Sequence, residues 1–230
     1  MPMVSDAQTI AFRAKVKEAG EVLSDLDLIH HRNYRPSYDG MEKEVRKQHY
    51  RDEWAYYESK SLFDFQLVDG SLFQFKDRPE PHTDASFCFY DSPVAAVDYP
   101  TFSHQTFAVT VEEAGDEGRD DYEDYLSSAD LKRAVTMIRY DHSPGLYREG
   151  CHPASHLHIG HGTQIRLGTR RVMNPISFTF FVLRQAYPLH WERLIAKSKA
   201  ERMIKHVRTA LSSVHPDYYK SKDGWELYLE

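Results

Sequence analysis

Five of the thirteen histidines in this 230-residue chain fall between positions 142 and 161. The group consists of His142, His152, His156, His158 and His161. Because side chains alternate along a strand, the segment SHLHIG at 155–160 places His156 and His158 on one face. Two neighbouring imidazoles can exchange protons near neutral pH or bind a metal ion through neutral nitrogens. The spacing therefore predicts a site with acid–base or metal chemistry.

A local excess of positive charge surrounds these histidines. Residues 132–171 contain seven lysines and arginines and two acidic residues, a balance of +5 in a chain whose formal charge is −6. Such a patch attracts a phosphate-bearing ligand although the whole chain is acidic. Nearby, Tyr140 and Tyr147 are placed either to stack on RNA bases or to pack within a sheet. We predict that phosphate is bound by Arg139, Arg166, Arg170 and Arg171.

RNA cleavage without a metal ion or other cofactor is the first hypothesis for this segment. Attack of a 2′-hydroxyl on phosphorus requires a base, an acid and cations that stabilise the developing charge. His156 and His158 are the predicted acid–base pair, with His152 in reserve. Asp141 is predicted to orient a histidine or to pair with Arg139.

Two other functions stay open. One is a metal-dependent hydrolase in which a divalent ion is bound by Asp141, His152, His156 and His158, although HPASHLH at 152–158 lacks the HExxH and zinc-deaminase spacings. The other is a non-catalytic regulatory subunit that binds nucleic acid or a protein partner. The acidic segment 112–130 is then either a solvated loop with a short helix or a cover for a basic site.

Missing motifs exclude several classes of protein. The chain contains no GxxxxGK[ST], GxGxxG or GxSxG motif. Its two cysteines, Cys88 and Cys151, are too few for a disulfide scaffold or a four-cysteine zinc site. The apolar run 176–183 is too short to span a bilayer, and the N-terminus lacks the layout of a signal peptide. We therefore expect a cytoplasmic protein without membrane contact.

The elements that must position these residues follow from periodicity and turn signals. Helices are predicted over 5–28, 42–60 and 189–213, and from Pro175 to about residue 187. Strands are predicted over 61–68, 71–76, 85–90, 104–111, 134–141, 155–160 and 163–167, with an edge strand at 225–229. Asp69-Gly70 is a strong hairpin signal between the first two strands. His30 and His31 are predicted to lie in a loop.

This order of elements predicts an α+β fold, with a mostly antiparallel sheet flanked by N-terminal and C-terminal helices. The length suits a single domain over residues 1–230. Within it we expect a helical part at 1–60, a sheet-rich core at 61–171 and C-terminal helices at 172–230.

Four segments resemble a bacterial domain-of-unknown-function family, number 2290. They are SLFDFQLVDGSLFQF at 61–75, IRYDHSP at 138–144, HPASHLHIG at 152–160 and TQIRLGTRRVMNPISFTFFVLRQAYPLHW at 163–191. The resemblance extends over about residues 55–195. The resemblance implies a single domain in a bacterial or phage-defence setting. It implies no activity, because none is assigned to the family.

A shorter stretch is similar to TumE-like toxins of toxin–antitoxin pairs. The matching positions are Arg139, Asp141, Pro144, His156 and His158. Here a serine takes the place of one histidine before the pair, and a leucine separates the two histidines. This resemblance implies a toxin-like effector that acts on RNA and is restrained by an antitoxin or another protein partner.

Overall fold

A computed structural model describes residues 6–33, 45, 48–78, 84–97, 99–109, 111–163 and 165–225. The helices are α1 (Asp6–Ser24), α2 (Tyr50–Ser59), α3 (Tyr99–Phe107), α4 (Val111–Ser128), α5 (Pro175–Ala186), α6 (Pro188–Ile195) and α7 (Ala200–Ala210). The strands are β1 (Ile29–Arg32), β2 (Phe65–Leu67), β3 (Leu72–Arg78), β4 (Asp84–Tyr90), β5 (Met137–His142), β6 (Ser155–Ile159) and β7 (Leu167–Gly168). Short 3-10 helices occupy Pro144–Leu146, Pro216–Tyr218 and Ser221–Trp225.

The seven strands form one sheet in which they follow each other in chain order. β1 pairs antiparallel with β2, β5 with β6, and β6 with β7. Helices precede and follow this sheet along the chain. The predicted α+β fold, with a mostly antiparallel sheet between N-terminal and C-terminal helices, is therefore confirmed.

The chain divides into two compact units. The first unit contains Met1–Leu28, Phe73–Phe89 and Met137–Glu230, and the second contains Ile29–Leu72 and Tyr90–Thr136. All four predicted catalytic residues and all four predicted phosphate-binding arginines belong to the first unit.

One face of the sheet in the first unit is apolar and is covered by α1 and α5, which also contact each other. The ring of Phe178 on α5 lies 6.1 Å from that of Phe75 and 5.8 Å from that of Phe87, measured between centroids. Phe12 of α1 stacks on Phe87 at 6.1 Å. Because this face is closed by packed aromatic rings, polar chemistry is left to the other face of the strands.

A capping box starts α5 where Pro175 predicts a helix. The side chain of Asn174 accepts a hydrogen bond from the Ser177 N–H, and Ser177 Oγ accepts one from the Asn174 N–H, each at 2.9 Å. Pro175 occupies the first turn, where its missing N–H leaves no unsatisfied donor.

The second unit contains the predicted Asp69-Gly70 turn and an aromatic cluster. The Gly70 N–H donates to the Leu67 carbonyl at 2.9 Å, and Gly70 has a φ of 80°, which favours glycine. Separately, Tyr99 and Phe102 of α3 pack against Tyr122 of α4. The hairpin prediction is confirmed. The first strand is limited to Phe65–Leu67, and the second, Leu72–Arg78, continues two residues beyond its predicted end.

Two predictions for this unit are wrong. The described residues within 104–111 form no strand, because α3 runs through Phe107 and α4 begins at Val111. His30 and His31 lie in β1 rather than in a loop, because β1 pairs with β2. The backbone of the acidic segment 112–130 is helical as far as Ser128, apart from a break at Gly115, rather than a loop with a short helix.

Other boundaries shift without changing the type of element. The predicted helix 189–213 is split between α6 and α7, and the strand predicted at 163–167 is reduced to Leu167–Gly168. The described part of the helix predicted at 42–60 includes α2. Of the edge strand predicted at 225–229, Trp225 ends a 3-10 helix instead, and residues 226–229 lie outside the described residues.

Candidate functional site

The register between β5 and β6 brings four predicted site residues onto one face of the sheet. Asp141 lies opposite His156, and Arg139 lies opposite His158. Because alternate residues share a face, these four side chains project to the side away from Tyr140, whose ring packs against Phe87 in the core. Strand pairing thus assembles the cluster from residues that lie about fifteen positions apart along the chain.

Three of these residues place a potential metal-ligand atom close together, and we call them the Asp–His cluster: Asp141, His156 and His158. The Nε2 atoms of His156 and His158 are 3.0 Å apart. His158 Nε2 is 3.3 Å from Asp141 Oδ2. One donor atom from each residue lies within 4.8 Å of the other two.

The carboxylate of Asp141 is held from two further directions. Arg139 Nε donates to Asp141 Oδ2 at 2.8 Å, and Ser86 Oγ on β4 donates to Asp141 Oδ1 at 2.8 Å. Asp141 therefore contacts both Arg139 and His158, the two kinds of partner that the sequence analysis offers as alternatives. Burial raises the pKa of Asp141, but the hydrogen bond from His158 and the charge of Arg139 outweigh this effect and lower the pKa below its ordinary value.

The hydrogen-bond partners of His156 and His158 indicate which ring nitrogens carry a proton. His156 Nδ1 lies 2.8 Å from the carbonyl oxygen of Pro153, which can only accept, so Nδ1 carries the proton. In neutral His156 the Nε2 atom then presents a lone pair towards His158. His158 Nδ1 is buried and has no hydrogen-bond partner among the described residues.

Both histidines of the Asp–His cluster are buried, with 1% of His156 and 6% of His158 exposed. Burial and the neighbouring His158 lower the pKa of His156 to about 4. His156 is therefore neutral at pH 7, the form in which an imidazole nitrogen binds a metal ion.

His152 lies beside the cluster rather than in it. Its ring packs edge-on against that of His156, with 4.9 Å between the centroids. Burial, followed by the charges of Arg166 and Arg148, lowers the pKa of His152. The structure thus brings His152 against the cluster, and Arg166 is linked to the cluster only through its charge on His152.

Arg170 and Arg171 make their hydrogen bonds elsewhere. Arg170 Nη2 donates to the hydroxyl of Tyr219 at 2.9 Å, and Arg171 Nη1 donates to the Leu211 carbonyl and Ser213 Oγ, each at 3.2 Å. Both arginines line a cavity whose wall includes no member of the Asp–His cluster.

The alternative of base stacking by Tyr140 is wrong, because its ring is fully buried. Its hydroxyl contacts Ser155 Oγ at 2.7 Å and accepts from the Met173 N–H. The Tyr147 hydroxyl donates to Asp223 at 2.5 Å.

Sequence reasoning missed Ser86, which contacts Asp141 from β4. The signal is the alternation in ASFCFY at 85–90, which places Phe87 and Phe89 on the apolar face and Ser86 on the polar one. A polar residue on the same face as two histidines can be identified as a partner once the strand order is known.

A family model described as "Uncharacterized conserved protein (DUF2290)" matches residues 27–218. No curated protein and no solved structure matches the chain. No helix within the described ranges has the length and apolar character needed to cross a bilayer. The similarity to TumE-like toxins stays a hypothesis. Because the family match spans most of the chain and includes the whole Asp–His cluster, the protein belongs to the DUF2290 family.

Proposed function

We propose that the Asp–His cluster binds one divalent transition-metal ion and that the loaded site hydrolyses phosphodiester bonds in RNA. The observation that carries the proposal is the convergence of three donor atoms from one sheet face within 4.8 Å. Two histidines and one carboxylate leave coordination positions open for water and substrate, which is the pattern of catalytic metal sites.

Two of the three separations between the ligand atoms suit a shared ion, and the three atoms together lie within 4.8 Å. Two ligands about 2.1 Å from one ion are about 3.0 Å apart at a right angle and about 3.4 Å apart at a tetrahedral angle. The observed separations are 3.0 Å between the two Nε2 atoms and 3.3 Å from His158 Nε2 to Asp141 Oδ2. His156 also has the outer contact typical of a ligand, because its Nδ1–H donates to the Pro153 carbonyl.

An acid–base pair fits the same distances less well. In an in-line displacement, the base and the acid act on opposite sides of the phosphorus atom. Two imidazole nitrogens in direct contact leave no room for a phosphoryl group between them. We therefore assign the two histidines to one ion rather than to separate proton transfers.

Residues of the chain supply the remaining roles. A bound ion lowers the pKa of a coordinated water molecule. In hydrolysis the oxygen of water bonds to phosphorus and releases a proton, the P–O bond to the leaving group breaks, and the leaving oxygen takes up a proton. Arg139, which contacts Asp141, would offset the charge of the phosphoryl oxygens, and Arg166, whose charge acts on His152, would assist it. His152, half-buried beside His156, is the nearest further proton carrier.

The test combines metal analysis with an RNA cleavage assay. We expect the purified protein to contain about one equivalent of metal and to cleave single-stranded RNA. EDTA should abolish cleavage, and Zn²⁺ or Mn²⁺ should restore it. His156→Ala/His158→Ala should lose the metal and reduce the cleavage rate by about 100-fold or more. The control is His206→Ala, which removes an exposed imidazole on α7.

A metal-independent acid–base site is a second candidate, and one contact favours it. If His158 donates its Nε2–H to Asp141, then Nδ1 retains a lone pair that can accept a proton. An ion at Nε2 would instead place the proton on Nδ1, which has no acceptor among the described residues. Cleavage that persists in EDTA but is lost in His158→Ala would support this candidate. RNA that is bound but stays intact with metal loaded would contradict both candidates and favour a non-catalytic subunit.

A further inference from the structure

A cavity of about 1150 Å³ lies beside α7 in the first unit, and we call it the α7 cavity. Four cationic side chains and one acidic side chain line it: Arg170, Arg171, Lys205, Arg208 and Glu201. Apolar side chains, including Met173 and Ile204, complete the wall. No residue of the Asp–His cluster lines this cavity.

One face of α7 forms a wall of the α7 cavity. The lining positions on this helix are 201, 204, 205, 208 and 209, which have the spacing of a single helical stripe. Val207, on another face of the helix, is buried. The stripe combines the apolar side chain of Ile204 with the charges of Lys205 and Arg208, so it suits a ligand with both an apolar part and a negative charge.

Another part of the wall carries Arg170 and Arg171 beside a short backbone ladder. The Val172 N–H donates to the Ser212 carbonyl at 2.9 Å, and the Val214 N–H donates to the Arg170 carbonyl at 3.0 Å. This short ladder anchors the backbone of both arginines. Their guanidinium groups are anchored as well, that of Arg170 at 5.1 Å from the Tyr219 ring centroid and that of Arg171 by the Leu211 carbonyl. Anchored side chains lose little further conformational entropy when a ligand binds.

We infer that the α7 cavity binds a nucleotide, with its phosphate among the cationic side chains and its base against the apolar wall. An excess of three positive charges suits a phosphate better than a single carboxylate, and guanidinium groups match phosphate geometry. The volume lies just above the range of about 300–1,000 Å³ that is typical of small-molecule sites, so it accommodates more than a bare anion. The Ser213 hydroxyl accepts from Arg171 Nη1 at 3.2 Å and can still donate to a ribose, whereas the Thr209 hydroxyl donates to the Lys205 and His206 carbonyls and can only accept. This inference does not rest on the proposed metal site.

Isothermal titration tests the inference with three probes: AMP, inorganic phosphate and a short single-stranded RNA. We expect AMP to bind with a stoichiometry near one, and more tightly than inorganic phosphate. Lys205→Glu and Arg208→Glu should each weaken AMP binding by about tenfold or more. Ile204→Trp, which fills the apolar wall, should weaken AMP but not inorganic phosphate.

Arg202→Glu is the matched control, because Arg202 is an exposed cation on the same helix but does not line the cavity. An unchanged AMP affinity in Arg202→Glu supports a defined site. Equal losses in Arg202→Glu and Arg208→Glu would show nonspecific attraction and overturn the inference, as would the absence of AMP binding at low salt. RNA that binds while AMP does not would also overturn a free-nucleotide site. His156→Ala/His158→Ala should bind AMP as the unaltered protein does. A failure of the metal-site proposal can therefore be distinguished from a failure of the nucleotide-site proposal.

Discussion

At the scale of single residues, the carboxylate of Asp141 determines the chemistry of the cluster. It is largely buried, yet it accepts hydrogen bonds from Arg139 and Ser86 and contacts His158. These partners keep it ionised at neutral pH, because they outweigh the effect of burial on its pKa. A buried, ionised carboxylate next to a neutral His156 is an arrangement suited to a cation.

Ser86→Ala tests whether the outer contact to Asp141 matters for metal binding. The substitution removes the hydroxyl that donates to Asp141 Oδ1 and leaves Asp141, His156 and His158 in place. Loss of such an outer partner lowers metal affinity by about 10–100-fold. Isothermal titration with Zn²⁺ measures the change, and Ser128→Ala, an exposed serine on α4, is the control. An affinity equal to that of the unaltered protein would exclude a role for this contact.

Much of the site could be predicted from single residues, because side chains on a strand alternate between its two faces. The two-residue spacing of His156 and His158, and of Arg139 and Asp141, fixes which side chains share a face. Arg170 and Arg171 could not be separated from the cluster by sequence, because they lie only two and three residues beyond β7. Their direction depends on the ladder with residues 212–214, which is a pairing between distant segments.

At the scale of elements, the C-terminal 3-10 helix Ser221–Trp225 is tied to the loop before β6. The buried Asp223 carboxylate accepts from the Tyr147 hydroxyl at 2.5 Å, the Gly150 N–H at 2.8 Å and the Lys220 N–H at 2.7 Å. Burial raises the pKa of Asp223, but these three hydrogen bonds outweigh it and lower the pKa below its ordinary value of 3.8. The contact restrains the loop that carries His152.

We expect the free energy of unfolding of Asp223→Asn to decline less at acidic pH than that of the unaltered protein. A carboxyl group with a lowered pKa stabilises the fold at pH values above its unfolded pKa, and this stabilisation is lost as the pH falls through the folded pKa. Urea unfolding from about pH 6 to about pH 3 should therefore show a smaller decline in the variant, which lacks this titration. Asp217→Asn, at an exposed position, is the control. An equally steep decline in Asp223→Asn would contradict the assignment.

The start of α5 gives a second prediction about an element. Asn174→Ala removes one half of the capping box and leaves the Ser177 N–H without its acceptor. We expect the free energy of unfolding to fall by about 1 kcal/mol. Chemical denaturation measures this, with Gln185→Ala on the exposed end of the same helix as the control. Equal stability of the two variants would mean that the cap contributes little.

Prediction of elements succeeded where a local signal is strong, as at Pro175 and at Asp69-Gly70. It failed over 104–111, where the alternation of HQTFAVTV is overridden by packing. Phe102 and Tyr122 are brought together by helical spacing on α3 and α4, and their rings lie 5.3 Å apart. Such tertiary contacts decide between helix and strand when the local preference is weak.

At the scale of the whole molecule, metal binding is expected to raise the thermal stability of the folded chain. All three cluster residues belong to the first unit, and strand pairing assembles the site only in the folded state. A ligand that binds only the folded state, at about 100 times its dissociation constant, stabilises by about 2.7 kcal/mol.

Thermal unfolding of the purified protein with increasing Zn²⁺ tests this expectation. The midpoint should rise with metal concentration, return to its starting value with EDTA, and stay constant in His156→Ala/His158→Ala. His206→Ala should respond like the unaltered protein. A midpoint that Zn²⁺ does not raise, or that rises equally in the double variant, would contradict binding at the cluster.

The pairing register of β5 and β6 also limits how the length of this chain can vary. Asp141 meets His156 only while both strands keep their alignment, and a single inserted residue within either strand would turn its site residues to the opposite face. An insertion in the exposed part of the connection at 143–152 leaves that alignment intact. Relatives that share the chemistry are therefore expected to differ in the length of this connection and to keep the lengths of the two strands.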